Sequence, residues 1–274
     1  MIWNYKTRNH CKPYEIVTNI RDNTEYVLSK IESTGKILKQ IADFSLGITP
    51  YDKYQGHSEE DIQNRVFHSE TKISKTYVPL INGKNIHKYF IQNTPIDEFL
   101  KYGDWLGAPR EIKFFKEPRV IVRQIVTGKP DFKIHAGYTE DELYFTQIGF
   151  GIISKKKDTS ETKFILALLN SELIKFYHAN RFLDREKEIF QKILIANTKQ
   201  FPIPKNLSSK SQKQIEQLVD EILKKKKSNL DATSLEKEID ALVYKLYELT
   251  YDEVKIIDKD FWMSEEEYEK IEVK

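Results

Sequence analysis

The sequence predicts an α+β fold: a twisted, mixed β-sheet domain with flanking helices, followed by an α-helical hairpin. Three observations carry that expectation. Between Gly47 and Pro109 nine glycines and prolines punctuate short apolar stretches, as turns do between strands. From Glu161 to Phe182 the apolar residues Phe164, Leu168, Leu169, Leu173, Phe176 and Tyr177 switch to helical spacing. After Pro204 the pattern is helical throughout.

The elements follow in order. A lead-in over residues 1–40 holds a helix predicted from about Thr18 to Lys39, with a stripe of Ile20, Val27, Ile31, Ile37, Leu38 and Ile41 and a break at Gly35. Residues 41–204 form the mixed domain. Its clearest strands are "RVIVRQIV" (Arg119–Val126) and "LYFTQIGFGIIS" (Leu143–Ser154), and "PDFKIHAGY" supplies a third between them. Asn170 and Ser171 can restart the helix that follows.

Residues 205–274 carry the helical region. Ser211 with Gln214 offers a capping box ahead of Ile215, Leu218, Val219, Ile222 and Leu223; Thr233 with Glu236 offers a second, ahead of Ile239, Leu242, Val243 and Leu246. Thr250 with Glu253 caps a third helix carrying Val254 and Ile257. Lys224–Lys227 fall at a helix C-terminus, where cations complement the negative dipole end, and are expected to serve there rather than on a ligand.

Composition narrows the function classes. The 274 residues are 39% apolar and 12% aromatic, enough for a sizeable core. Residues 1–204 hold 31 Lys and Arg against 25 Asp and Glu, and the remainder holds 13 against 17, so a net charge of +2 conceals a basic larger part and an acidic tail. A polyanion suits the former. A single cysteine, Cys11, rules out an internal disulfide and leaves no zinc-finger spacing. No run of about 18 apolar residues appears, and "MIWNYKTRNHCKPY" lacks the apolar centre of a signal peptide, so the expected address is the cytoplasm.

Several quoted pieces, in order along the chain, carry a resemblance: "ILKQIADFSLGITPYDKYQG", "YVPLINGKNIHKYF", "REIKFFKEPRVIVRQI", "YFTQIGFGII", "FILALLNSELIKFYHA", "FPIP", "IEQLVDEILKKK" and "LEKEIDALVYKLYELTYDEVKII". Over roughly residues 36–258 the chain resembles the TaqI-like C-terminal specificity domain, the target-recognition domain of bacterial restriction-modification DNA methyltransferases of type IIG, to which type I specificity subunits are similar. The resemblance implies sequence-specific recognition of double-stranded DNA on behalf of a methyltransferase domain or subunit, usually adenine-specific, whose S-adenosylmethionine is bound in the methylase part. It further implies that the chain is a fragment, a split subunit or an excised domain.

The residues themselves offer no methylase chemistry. There is no Asn-Pro-Pro, and Gly149 and Gly151 lie in a strand-like run instead of opening a helix, so no catalytic residue and no cofactor are expected in this chain. DNA recognition needs cations for phosphates and amide or charged side chains for base edges. The loops supply Tyr51, Lys53, Tyr54 and Gln55; Lys72, Lys75 and Tyr77; Lys84, Asn85 and His87; then Arg119 and Arg123 on one strand and Lys129 in the turn after it.

Two alternatives accompany this reading. Asp97 or Asp104 upstream of Glu111-Ile112-Lys113 fits the loose pattern of a metal-dependent nuclease, in which two carboxylates hold magnesium and the lysine steadies a water. A protein-interaction module docking through its helical tail is the other.

Overall fold

The computed structural model describes residues 13–125, 132–183, 191–205 and 207–273, the first ten of them by backbone only. In chain order the elements are α1 (Pro13–Glu32), β1 (Lys36–Ile37), β2 (Ala42–Leu46), α2 (Glu59–Gln63), β3 (His68–Ser69), β4 (Tyr77–Ile81), β5 (Tyr89–Phe90), β6 (Phe99–Lys101), α3 (Lys113–Lys116), β7 (Arg119–Arg123), β8 (Ala136–Thr139), β9 (Tyr144–Phe145), β10 (Gly149–Ser154), α4 (Thr159–Asn170), α5 (Glu172–Arg181), α6 (Ile195–Thr198) and β11 (Pro202–Ile203). Four helices close the described chain: α7 (Ser209–Lys227), α8 (Thr233–Leu246), α9 (Tyr251–Ile257) and α10 (Glu265–Glu269). The expected α+β class and the helical C-terminal region are both present.

The main sheet runs β2-β10-β7-β8-β5, antiparallel except for the parallel β5–β8 pair. A second sheet runs β3-β6-β4-β9, with β4 and β9 parallel. Strand periodicity explains how one sheet serves two cores. On β7, Val120 and Val122 point into the larger core, while Ile121 points the other way into a smaller one. Both faces of "RVIVR" are therefore buried, so the segment reads as a continuous apolar run without alternation.

The larger core joins that sheet to the helices. Phe164 to Leu169 on α4 are fully buried, because α4 lies between the sheet and α7. Asn170 pins α4 to β8, its Nδ2 donating to the Ala136 carbonyl at 2.9 Å. The smaller core, with Ile48, Leu80, Leu100, Phe115, Tyr144 and Phe145, fills the space between the two sheets. Gly47 makes their junction: a Cβ there would stand 1.9 Å from the Thr146 carbonyl oxygen, so only glycine lets β2 run on beside β9.

Helix boundaries correct three expectations. The first helix ends at Glu32 instead of Lys39, because Gly35 adopts φ 69° and Lys36–Ile37 then pair with Ile203 and Pro202. The cap of α7 is Ser208, whose hydroxyl accepts from Ser211 N, so Ser211 is the capped residue and not the cap. At α8 the carboxylate of Asp231 takes Thr233 N at 3.1 Å and the Thr233 hydroxyl at 2.6 Å, and Glu236 is spent on ion pairs. Ser171 does restart α5, and Thr250 with Glu253 forms the reciprocal capping box of α9.

The helical tail packs on the mixed region instead of projecting from it. Ile215, Val219 and Ile222 of α7 and Ile239, Leu242 and Val243 of α8 share one core with the sheet. Polar contacts reinforce the junction. Lys88 lies 2.9 Å from Glu236, and Asp240 accepts from the N-terminal amide of α5 at Glu172, 2.9 Å away. Burial pushes the Asp240 carboxyl up to about 7, against the pull of Lys88.

Candidate nucleic-acid interface

A cleft of about 630 Å³ opens where the ends of β4, β7 and the β9–β10 turn meet the loop after β2. Asn82, Gln124, Gln147, Thr49, Arg65 and Lys192 bring polar side chains to it over an apolar floor of Ile48, Leu80 and Ile148. A hollow of about 320 Å³ that shares Arg65, His68, Asn82 and Glu98 adjoins it. Each of these side chains is set on a structured element. Gln124 follows β7, and its backbone pairs with residue 193, where the Ile193 amide donates to the Gln124 carbonyl at 2.9 Å. Gln147 stands in the β9–β10 turn and donates to the Thr49 hydroxyl at 2.6 Å, an oxygen that also takes Arg110 at 3.3 Å.

Glu98 organises the other wall. Its carboxylate accepts from Asn82 Nδ2 at 3.0 Å and pairs with the Arg65 guanidinium. Arg65 itself sits at φ 49°, in the left-handed region, just past α2. Behind them the Tyr51 hydroxyl accepts from Phe67 N at 3.0 Å, which leaves its own proton for His68 Nδ1 at 2.8 Å. That arrangement places the His68 proton on Nε2, 3.9 Å from Glu98. Burial, with Arg65 beside it, holds the imidazole below its usual range and so neutral near pH 7.

The structure sorts the sequence candidates. Tyr51 lines the cleft. Lys53, Tyr54 and Gln55 form a 3-10 turn capped by Asp52, with Gly56 at φ 91°; Tyr54 is 98% exposed and Lys53 pairs with Glu59 at 2.5 Å. Lys72 and Lys75 are exposed on the loop before β4, and Tyr77, half-buried, opens that strand. Lys84 pairs with Asp97 at 2.9 Å, and His87 is exposed above Phe90. Arg123 lies half-buried beside Gly83. Lys129 lies outside the described residues.

Two candidates are corrected. Arg119 is fully buried, its guanidinium donating to the carbonyls of Glu117, Asp141 and Leu143 at 2.8, 2.7 and 3.0 Å, so it fastens the β9 approach and cannot reach a ligand. Its shared parity with Arg123 is no guide, because the main sheet is covered on both faces. Asn85 is also buried, accepting from Asn82 N at 2.9 Å and donating to the Gln92 carbonyl at 3.1 Å; it shapes its loop.

Sequence reasoning misses Arg65, Glu98, Gln124 and Gln147 as cleft residues. The signal that marks the last two is a glutamine next to a strand end, in "VRQI" and "FTQIG".

The nuclease pattern does not assemble. Asp97 is held by Lys84 and lines the hollow with Glu98, whereas Glu111 pairs with Lys113 at 3.1 Å and lines a different hollow with Asp43. Among the described residues no three His, Cys, Asp or Glu side chains come together as a metal site. A Cβ at Gly149 would stand 2.7 Å from the Val122 carbonyl oxygen, and one at Gly151 3.2 Å from the Phe145 ring, so both glycines serve packing inside β10.

No helix among the described residues is long and apolar enough to cross a membrane. No curated protein matches the chain. Among solved structures it is similar to the type IIL restriction-modification enzyme MmeI in complex with DNA, at 13% identity over 84% of this chain and 35% of that one, with a TM-score of 0.47. A component of a type I restriction-modification system is similar at 11% identity, 90% and 55% coverage and a TM-score of 0.39. The HsdS subunit from Thermoanaerobacter tengcongensis is similar at 11% identity, 84% and 52% coverage and a TM-score of 0.34. The chain thus spans between about a third and about half of those proteins. Residues 78–203, from β4 to β11, match the family model of the TaqI-like C-terminal specificity domain. The centre of this chain thus matches the TaqI-like C-terminal specificity domain, and the polar cleft lies at the ends of the strands there.

Proposed function

We propose that the chain is the sequence-specific DNA-recognition module of a restriction-modification enzyme, that it performs no chemistry itself, and that it serves an adenine-specific methyltransferase domain or subunit which holds the S-adenosylmethionine. One observation carries the reading: within a specificity-domain fold, side chains with base-edge chemistry converge on one cleft from separate, internally braced loops. Arg pairs bidentately with guanine, and Asn or Gln with adenine, so Arg65, Asn82, Gln124 and Gln147 are the base readers. Lys72 and Lys75, exposed on the loop before β4, and Lys192 at the cleft serve the phosphates and set register without reading sequence.

Bracing matters because a reader held before binding loses less side-chain entropy on contact. Thr49 fixes Gln147, and Glu98 fixes Asn82 and Arg65. The test is selection of bound duplexes from a randomised pool with the full chain, with methyl transfer from S-adenosylmethionine followed in parallel. An enriched motif without methyl transfer is expected. Binding that enriches no motif, or transfer by the chain alone, overturns the reading.

A further inference from the structure

A second hollow, of about 500 Å³, lies away from the cleft, between the segments preceding and following β5 and the C-terminal end of α7. His87, Gln92, Thr94, Lys226, Lys227 and Asn229 supply its polar lining. Among the described residues no carboxylate lines it, in a chain where 42 of 274 residues are acidic. Every polar side chain on its wall can donate a hydrogen bond, which is the chemistry of an anion site and unlike the recognition cleft with its Glu98.

The lysine run behind this wall divides. Lys225 donates to the Asp231 carbonyl at 3.1 Å, and Lys226 pairs with Glu236 at 2.7 Å. Lys224 and Lys227 remain exposed, and among the described residues no carboxylate pairs with Lys227. Asn229 at φ 55° ends the helix, with Leu230 N returning to the Lys225 carbonyl at 2.9 Å, so the last turn is fixed in place. Dipole complement alone would leave the lysines radiating into solvent; instead Lys226 and Lys227 face the loop of His87.

The same loop joins the hollow to the cleft. Asn82 lines the cleft and His87 the second hollow, with the Gly83–Asn85 turn between them pinned by the buried Asn85. Asn82 and His87 are five positions apart in sequence, so the cleft and the hollow are neighbours along one loop. We propose that this hollow receives a phosphodiester of the DNA, so that a duplex seated in the recognition cleft also rests on the end of α7. The helical region then contributes affinity through Lys227, together with His87 of the loop before β5, and no sequence preference.

This rests on the DNA-recognition reading, and the experiment separates the two. Anisotropy titrations of the full chain with a labelled random-sequence duplex are run over a range of salt concentrations, for the unaltered protein, His87→Gln with Lys227→Gln, and Lys224→Gln. Both residues replaced in the double variant are exposed, so the fold is unaffected. The double variant is expected to flatten the plot of log affinity against log salt by about 0.9 for each phosphate that is no longer neutralised, with Lys224→Gln unchanged. An unchanged slope in the double variant overturns the proposal while DNA recognition stands. Failure of the unaltered chain to bind any duplex overturns both.

Discussion

Lys88 and Glu236 lie 2.9 Å apart, an ion pair that fastens the residue before β5, in the main sheet, to the first turn of α8. Glu236 also holds Lys226, and Asp240, one turn further along α8, is buried beneath the pair. The acidic side chains that make the tail net negative are thus partly consumed in joining it to the basic larger part.

Asp240 makes that junction sensitive to pH. Its folded carboxyl stands near 7, above the value of about 3.9 for an unfolded chain. A raised pKa means that the native state binds more protons between those values, so the contribution is complete below about pH 4 and is lost as pH rises through 7. At about 1.4 kcal/mol per unit, unfolding free energy should fall by about 3 kcal/mol from pH 5 to pH 8 on this account. Asp240→Asn keeps the acceptor for Glu172 N and removes the titration. Urea unfolding at the two pH values should show a smaller decline in the variant; equal declines would show that Asp240 does not titrate there.

Arg119 is expected to behave as a structural residue. Arg119→Met fills much of the same volume but leaves three carbonyl oxygens without their donor. The destabilisation should be about 3 kcal/mol, at roughly 1 kcal/mol for each hydrogen bond, read as a lower urea midpoint. The salt dependence of DNA binding by the folded variant should match that of the unaltered chain. A flatter dependence with no change in midpoint would return Arg119 to the interface.

Glu98 should matter to specificity more than to affinity. Glu98→Gln removes the charge that fixes Arg65, and Arg65→Ala removes the reader itself. Each should narrow the gap between the selected site and random duplex by about 1–3 kcal/mol, with little change on random DNA. Competition titrations measure the gap. Equal weakening on both duplexes would make Arg65 a phosphate contact.

Much of this protein is legible without coordinates, because local rules act within a few residues of chain. The strands expected in "RVIVRQIV" and "PDFKIHAGY" are present at Arg119–Arg123 and Ala136–Thr139, the one expected over Leu143–Ser154 is broken into Tyr144–Phe145 and Gly149–Ser154, and the capping box at Thr250 follows from spacing alone. The family resemblance likewise stands on ordered segments of sequence, and its central part coincides with residues 78–203.

What chain order leaves open is which faces meet. Period-two parity groups Arg119 with Arg123, yet the main sheet carries a core on each face, so the first is buried and the second is only half covered. Arg65, Glu98, Gln124 and Gln147 reach one cleft from segments as far as 82 residues apart, held by contacts that no local pattern encodes. The lysines ending α7 have the composition of a solvated helix end, and only the packing of that helix against α4 and β5 sets them opposite His87. Propensity and periodicity determine the elements, since their energies are local; the site depends on burial and long-range pairing, which exist only once the elements have packed.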